Sequence, residues 1–99
     1  MSTLVLEHEC LAQKVVFTED SFIVYLTDGR SISVPLVWYP RLFNAKKQEL
    51  ENYELIGDGE GIHWPDLDED ISMEGILAGR RSGESQSSLE KWLKKRTQK

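Results

Sequence analysis

Hydrophobic residues in the first third of the chain fall into three short runs separated by polar residues, a pattern that is typical of β-strands. Residues 14–18 and 22–27 are rich in β-branched and aromatic side chains, and residues 30–34 alternate between serine and aliphatic positions. Between the last two runs, Asp28 and Gly29 favour a two-residue hairpin turn. We predict an antiparallel meander of three strands with one buried face and one solvated face.

Prolines and a helical pattern divide the middle of the chain. Pro35 and Pro40 bracket residues 36–39, which we expect to leave the sheet because proline cannot donate to a strand ladder. Residues 45–53 carry a short, imperfect helical pattern, and residues 54–56 are a candidate fourth strand. The middle of the chain is therefore predicted to add one helix and one strand.

A second helix is predicted further along the chain. Residues 62–65 are expected to be extended because the residue before a proline avoids the helical region. Asp70 and Ser72 are both good N-caps, and Gly79 is a suitable C-terminal stop. We predict that this helix begins near one of the two caps and ends at Gly79.

The C-terminal part of the sequence predicts a polar linker followed by an amphipathic helix. Residues 82–88 are polar and rich in serine and glycine. Residues 87–90 match a capping box, after which Leu89, Trp92 and Leu93 share one helical face. Since so short a helix is not stable alone, this face is expected to dock on its own domain or on a second subunit.

Together these elements predict an α+β fold. It consists of a small antiparallel meander of three to four strands packed against two short helices, plus the amphipathic C-terminal helix. The 99 residues are enough for one ordinary hydrophobic core. We expect a single α+β domain over residues 1–81, a linker over residues 82–88, and the C-terminal helix with its basic tail over residues 89–99.

Charge changes this picture more than composition does. The formal net charge is −5, and no lysine or arginine occurs between residues 48 and 79. That segment nevertheless holds ten carboxylates, whereas five of the last nine residues are cationic. The ten carboxylates are Glu49, Glu51, Glu54, Asp58, Glu60, Asp66, Asp68, Glu69, Asp70 and Glu74. The sequence thus predicts an acidic middle and a basic tail, and the acidic excess disfavours general nucleic-acid binding.

Other features of the sequence bear on location. The apolar runs are strand-sized, so no membrane span is expected. The first nine residues lack the basic start and apolar core of a secretory signal, and Cys10 has no cysteine with which to pair. These features favour the cytoplasm, where thiols stay reduced.

One acidic segment is a candidate metal site. His63, Asp66, Asp68 and Asp70 offer nitrogen and oxygen ligands within eight residues, and the alternating aspartates are similar to the start of an EF-hand loop. The register does not fit, because counting from Asp66 places Ile71 where that loop needs glycine. We therefore predict no metal and no cofactor.

The same segment leaves an enzymatic alternative open. His63 has an ordinary pKa near neutrality and is a candidate acid/base group beside the aspartates and Arg80. A catalytic base needs a nucleophile or a substrate site within reach, and no spacing in the sequence supplies one. We predict no catalytic residue, and a metal-dependent or acid/base enzyme built on His63 stays as the alternative.

Two aromatic-proline segments and the C-terminal helix are the candidate partner-binding elements. Residues 38–41 and 63–66 are predicted either to line one exposed groove or to fill the core with their tryptophans. The candidate partner-binding residues are Trp38, Tyr39, Arg41, His63, Trp64, Asp66, Asp68, Leu89, Trp92 and Leu93.

Three segments of the sequence resemble a known family. They are residues 28–42 (DGRSISVPLVWYPRL), residues 61–79 (GIHWPDLDEDISMEGILAG) and residues 83–93 (GESQSSLEKWL). Together they are similar to the bacterial family called domain of unknown function 2442. The resemblance implies an α+β fold without an established activity. It also implies that some relatives are encoded beside a small partner protein, as toxins and antitoxins are.

The leading hypothesis is a protein-interaction module that uses its acidic middle to bind a small basic partner. In this hypothesis the chain is the antitoxin-like or regulatory member of a two-protein pair, and a homodimer is the other form of association considered. The enzyme built on His63 with Asp66, Asp68 and Asp70 is the first alternative. The second is a DNA-binding regulator that uses the basic C-terminus.

Overall fold

Two three-stranded antiparallel sheets and several short helices make up the computed structural model, which describes residues 11–97. The strands are β1 (Ala12–Phe17), β2 (Ser21–Leu26), β3 (Ser31–Pro35), β4 (Glu54–Ile56), β5 (Gly61–Trp64) and β6 (Glu69–Ser72). The helices are a 3₁₀ turn (Leu36–Trp38), α1 (Pro40–Phe43), α2 (Lys47–Glu51), α3 (Met73–Leu77) and α4 (Gln86–Thr97). The predicted α+β class is confirmed. Cys10 lies outside the described residues.

The first sheet has the order β1-β2-β3, as predicted from the three β-like runs. Its second hairpin differs in the turn. The Leu26 amide donates to Arg30 O at 2.8 Å, so three residues, and not the predicted two, form the loop. Gly29 has φ +97° and donates to Leu26 O at 3.1 Å. A three-residue loop of this kind needs a left-handed residue at its third position, which glycine adopts without strain.

The chain leaves the first sheet after Pro35, as predicted, and the helix that follows is shorter than expected. The helix predicted over residues 45–53 is confined to α2, Lys47–Glu51. Tyr53 lies outside this helix because its hydroxyl accepts a hydrogen bond from the Val15 amide of β1 at 2.9 Å. That contact turns the chain toward β4.

The second sheet, β4-β5-β6, includes a strand that the sequence analysis missed. Residues 69–72 were predicted to hold the start of a helix, but they pair with β5. Asp68 has φ +53° and completes the tight turn between these two strands. The helix begins after Ser72, whose Oγ accepts from the Gly75 amide at 2.9 Å. Of the two predicted caps, Ser72 is therefore correct and Asp70 is wrong.

Aromatic rings join the inner faces of the two sheets. The Phe22 and Trp64 ring centroids are 6.0 Å apart in an edge-to-face arrangement, and both side chains are fully buried. The Trp64 indole N–H donates to Leu50 O at 2.9 Å, which satisfies its one polar atom. The core thus fixes β5 between β2 and α2, and leaves the opposite face of β5 to solvent.

The C-terminal helix begins earlier than the predicted capping box. Ser85 Oγ accepts from the Ser88 amide at 3.1 Å, so the cap lies at Ser85 and not at Ser87. The helix then runs from Gln86 to Thr97. No helix within residues 11–97 is long and apolar enough to cross a membrane.

Candidate functional site

A row of three polar side chains crosses the outer face of the second sheet. The strand register pairs Glu54 with His63 and His63 with Asp70, so the three residues lie side by side on β4, β5 and β6. Neighbouring Ile62 and Ile71 form the next row and face the core. Since side chains alternate between the two faces of a sheet, the row of Glu54, His63 and Asp70 faces solvent.

His63 is bound to one of its acidic neighbours. Its Nδ1 forms a hydrogen bond with Asp70 Oδ1, and the two side chains are 31% and 67% exposed. This hydrogen bond is the main reason that the pKa of His63 is raised, and the charges of Asp70, Glu54 and Asp68 raise it further. Even with a protonated imidazole, the row keeps a net negative charge because it holds two carboxylates.

The next outward-facing row places an apolar side chain beside these charges. Ile56, Gly61 and Ser72 are in register across the sheet, and Ile56 is 46% exposed. Because Gly61 has no side chain, the surface is concave there. The depression has a volume of about 400 Å³ and is also lined by Glu60 and Asp70. We call the surface formed by Glu54, Ile56, Glu60, His63, Asp70 and Ser72 the acidic sheet face.

A second group of charges lies where α4 meets the domain. The Arg41 guanidinium donates to the Glu84 carboxylate through Nε at 3.0 Å and Nη2 at 2.6 Å. Its Nη1 donates to the carbonyls of Leu67 at 3.1 Å and Asp68 at 3.2 Å. The hydrogen bond between the two side chains raises the pKa of Arg41 and lowers that of Glu84. Arg41 therefore ties the start of α4 to the turn before β6.

Trp92 is the aromatic centre of the same region. The guanidinium carbons of Arg41 and Arg96 lie over its ring, 5.1 Å and 4.6 Å from the centroid. Arg96 also donates to the two Glu49 carboxylate oxygens at 2.8 Å and 3.1 Å. We call Arg41, Glu49, Glu84, Trp92 and Arg96 the α4 joint. The C-terminal helix folds back onto its own domain through this joint.

Of the two arrangements predicted for the aromatic-proline segments, the exposed groove does not form. Trp64 is fully buried in the core, and Tyr39 is 5% exposed, with its hydroxyl donating to Arg80 O at 2.7 Å. Arg41 is engaged in the α4 joint. Trp38 is half-buried, and the Arg81 guanidinium lies over its ring at 4.7 Å. These aromatic side chains fill the core or its margin because the chain packs on both sides of them.

The other predicted partner-binding residues are divided among separate surfaces. His63 lies in the acidic sheet face. Asp66 accepts from Asn52 Nδ2 at 3.0 Å, and the Asp68 carboxylate is 92% exposed at 3.9 Å from Arg41 Nη1. The remaining three belong to α4, where all are half-buried: Leu89, Trp92 and Leu93.

The alternative enzyme constellation is assembled only in part. Asp66 lines a cleft of about 530 Å³ between α2 and α4, whereas Arg80 lines one of about 230 Å³ beside β6. His63 lines neither cleft, and of the three aspartates of the constellation only Asp70 is hydrogen-bonded to it. Within residues 11–97, no group of three histidine, cysteine, aspartate or glutamate side chains is placed to hold a metal ion.

The acidic middle of the chain is not one continuous patch. Glu49 is neutralised by Arg96, and Asp66 lies by the α2–α4 cleft. Glu69 is on the inner side of β6 with Tyr39, where burial raises its pKa to about 7, although the charge of Arg41 opposes the shift. The expectation that all ten carboxylates act together is therefore corrected to the smaller acidic sheet face.

Sequence reasoning named Arg41, His63 and Trp92 as partner-binding candidates but missed which residues come together with them on each surface. Glu54, Ile56 and Asp70 belong to the acidic sheet face only through the register of β4, β5 and β6. The signal that was available is the alternation of residues 69–72, in which Ile71 is apolar and its neighbours are polar.

These features define a small α+β domain with an acidic, solvent-facing sheet and a C-terminal helix held by partly buried ion pairs. The family model described as "Protein of unknown function (DUF2442)" matches residues 12–82. The chain belongs to this family, which confirms the resemblance found in the sequence. The matched segment includes the whole acidic sheet face and ends before Glu84 and α4.

Two solved structures have a similar fold. One is the crystal structure of a protein of unknown function from Rhodospirillum rubrum ATCC 11170, with 28% identity and a TM-score of 0.65, covering 80% of this chain and 95% of the other. The second is the solution structure of an uncharacterised protein from Chromobacterium violaceum, with 22% identity and a TM-score of 0.67, covering 96% and 84%. No curated protein matches the sequence.

Proposed function

We propose that this protein is an interaction module that binds a small basic protein through the acidic sheet face. The observation that carries the proposal is the row of Glu54, His63 and Asp70 beside the half-exposed Ile56. The strands β4, β5 and β6 contain no lysine or arginine. His63 is bonded to Asp70, and no lysine or arginine of the same three strands pairs with Glu54, so an approaching cation meets a row that stays net negative.

The acidic sheet face combines two kinds of contact that protein interfaces use. Complementary charges steer a partner and increase the rate of association, an effect that salt weakens. An exposed apolar side chain next to a shallow depression gives the partner a surface to desolvate, which supplies affinity. Ile56 and the depression at Gly61 fill this second role.

The cellular role that we propose is the regulatory, antitoxin-like member of a two-protein pair in the cytoplasm. The support is the family resemblance, which implies that some relatives are encoded beside a small partner. An acidic binding surface fits a regulator that covers a cationic surface on such a partner.

Co-purification with a charge-reversed variant tests the proposal. The tagged chain is expressed together with the small protein encoded beside it in its native genome, and complexes are isolated at low and high ionic strength. The variant Glu54→Lys/Asp70→Lys reverses the acidic row. The control Glu19→Lys/Glu90→Lys makes the same change in net charge at exposed positions in the β1–β2 turn and on α4.

We expect the partner to be recovered with the wild-type chain and with the control, and less of it at high ionic strength. We expect no complex with Glu54→Lys/Asp70→Lys. Circular dichroism verifies that the variants are folded. Equal recovery of the partner with both double variants would show that the acidic sheet face is not the binding surface. Failure to recover the neighbouring protein at any salt concentration would remove the proposal.

A further inference from the structure

Backbone hydrogen bonds at the two ends of the β2–β3 hairpin fix which residues of the two strands bond to each other. The Leu26 amide donates to Arg30 O at 2.8 Å, and the Leu36 amide donates to Asp20 O at 2.9 Å. In an antiparallel pair, residues that exchange hydrogen bonds alternate with residues whose backbone groups point away from the partner strand. The two anchors therefore determine which β3 residues face β2 and which face outward.

In this hydrogen-bonding pattern, Ser31 and Ser33 direct their N–H and C=O groups to the free edge of β3. Both residues are exposed, and within residues 11–97 these four groups form no backbone hydrogen bond outside the strand ladders. Neither outward-facing position carries a charge, and the strand ends at Pro35, which has no N–H. Charges, prolines and covering segments are the usual devices that prevent a strand edge from pairing. Ser31 and Ser33 have none of these.

The other strand edges are treated differently. On β1, the outward-facing Val15 amide donates to the Tyr53 hydroxyl at 2.9 Å. The edge of β6 faces residues 80–83 across a cleft of only about 230 Å³. β4 has three residues, and only the backbone N–H and C=O of Leu55 point away from β5 toward the sheet edge. Among the described strands, β3 thus presents the most open edge.

We propose that a second copy of this chain pairs with β3, antiparallel and in register about Ile32. Ser31 of one copy then lies opposite Ser33 of the other, and the two pairs exchange four N–H to C=O hydrogen bonds. The β1-β2-β3 sheet of one copy and that of the other then form one sheet of six strands. Pro35 ends the ladder on each side because it cannot donate.

The chemistry of the edge favours a second copy because the strand is complementary to itself. A two-fold axis at Ile32 places Ile32 beside its equivalent, and Arg30 opposite Val34, so no like charges face each other. The pairing is short and buries little area, which is typical of weak association. We therefore expect a dimer that forms in a concentration-dependent way.

Two measurements on the full chain test this inference. Sedimentation follows mass from about 10 µM to about 1 mM, where weak interfaces begin to associate. Amide hydrogen exchange over the same range follows the Ser31 and Ser33 N–H groups. Dimer formation and protection of both amides are expected to rise together with concentration. The Val15 amide, which is already bonded, is the internal reference and is expected not to change.

Substitutions at Ser33 separate edge pairing from other modes of association. Ser33→Pro removes one outward N–H without touching the bonds to β2, and is expected to abolish the dimer. Ser33→Thr retains the N–H and is expected to preserve it. Should Ser33→Pro fail to fold, Ser31→Lys/Ser33→Lys keeps the strand but places like charges across the axis, and is also expected to give a monomer.

A monomer at every concentration would overturn the inference. Protection of Ser31 and Ser33 in a monomer would also do so, since another part of the same chain would then cover the edge. A dimer that persists in folded Ser33→Pro and Ser31→Lys/Ser33→Lys would assign association to another surface. The inference is independent of the proposed function, because β3 is in the other sheet and Glu54→Lys/Asp70→Lys is expected to leave dimerisation unchanged.

Discussion

The α4 joint and the acidic sheet face contain similar charged groups in different environments. In the joint, the side chains of Arg41 and Glu84 are 16% and 10% exposed, and those of Arg96 and Glu49 are 22% and 17% exposed. On the sheet, the His63 and Asp70 side chains are 31% and 67% exposed. Burial therefore distinguishes charges that hold the fold together from charges that are available to a partner.

The physical reason is desolvation. A largely buried charge that loses its counterion has neither water nor a partner, so breaking such a pair destabilises the fold strongly. An exposed ion pair contributes little to stability because water and salt replace it. Substitutions in the two regions are thus expected to differ in whether they affect folding or binding.

The largest expected effect is that of Arg41→Ala. This change leaves Glu84 without its counterion and removes the hydrogen bonds to the Leu67 and Asp68 carbonyls. We expect the free energy of unfolding to fall by about 3 kcal/mol, as for other largely buried pairs, measured by urea denaturation. The control is Arg81→Ala, which removes an exposed guanidinium over Trp38 and is expected to cost about 0.5 kcal/mol. Equal losses of stability in Arg41→Ala and Arg81→Ala would contradict the distinction between largely buried and exposed charges.

A smaller effect is expected for Glu49→Gln, which breaks the second pair of the joint while keeping the shape of the side chain. Arg96 loses a counterion on which both of its donating nitrogens depend. We expect the free energy of unfolding to fall by about 1–2 kcal/mol. Relative to the wild type, amide exchange is expected to become faster in the C-terminal half of α4 and to stay unchanged in β2. Glu51→Gln, at an exposed position of the same α2 helix, is the control and is expected to change neither.

Most of the first sheet could be predicted because its signals are local. Strands β1 and β2 are rich in β-branched and aromatic residues, β3 alternates at period two, and Gly29 marks the turn between β2 and β3. The α4 joint could not be predicted, since Glu84 and Arg96 bind Arg41 and Glu49, which are 43 and 47 residues away in sequence. β6 was missed because acidic residues before Ser72 also favour a helix start, and only pairing with β5 decides between the two.

Glu69 gives an intermediate, pH-dependent effect. Burial raises its pKa from 4.5 to about 7, so the folded chain binds this proton more tightly than the unfolded chain does. The stability due to Glu69 is complete below pH 4.5 and is lost as the pH rises toward about 7. We expect roughly 1 kcal/mol, reduced from the full shift because the side chain is partly exposed.

The variant Glu69→Gln removes this titration. The difference in unfolding free energy between Glu69→Gln and the wild type is expected to change across that window in favour of the variant as the pH rises. Since His63 titrates in both proteins, its contribution cancels in this difference, and the remaining pH dependence reports on Glu69. A difference that does not vary with pH would contradict the assignment.

The smallest effect on stability is expected on the acidic sheet face. Glu54→Gln/Asp70→Gln removes exposed charges and is expected to change the free energy of unfolding by less than about 0.5 kcal/mol. The same variant is expected to weaken partner binding and its salt dependence. A large loss of stability, measured by urea denaturation, would place these charges with those of the joint.

The most direct test of the central claim is an NMR titration of the isotope-labelled chain with the small basic protein recovered by co-purification. The account predicts that backbone amide shifts of Glu54, Ile56, His63 and Asp70 change on binding, while those of Gln86–Thr97 do not. Changes centred on α4 with an unaffected second sheet would contradict it.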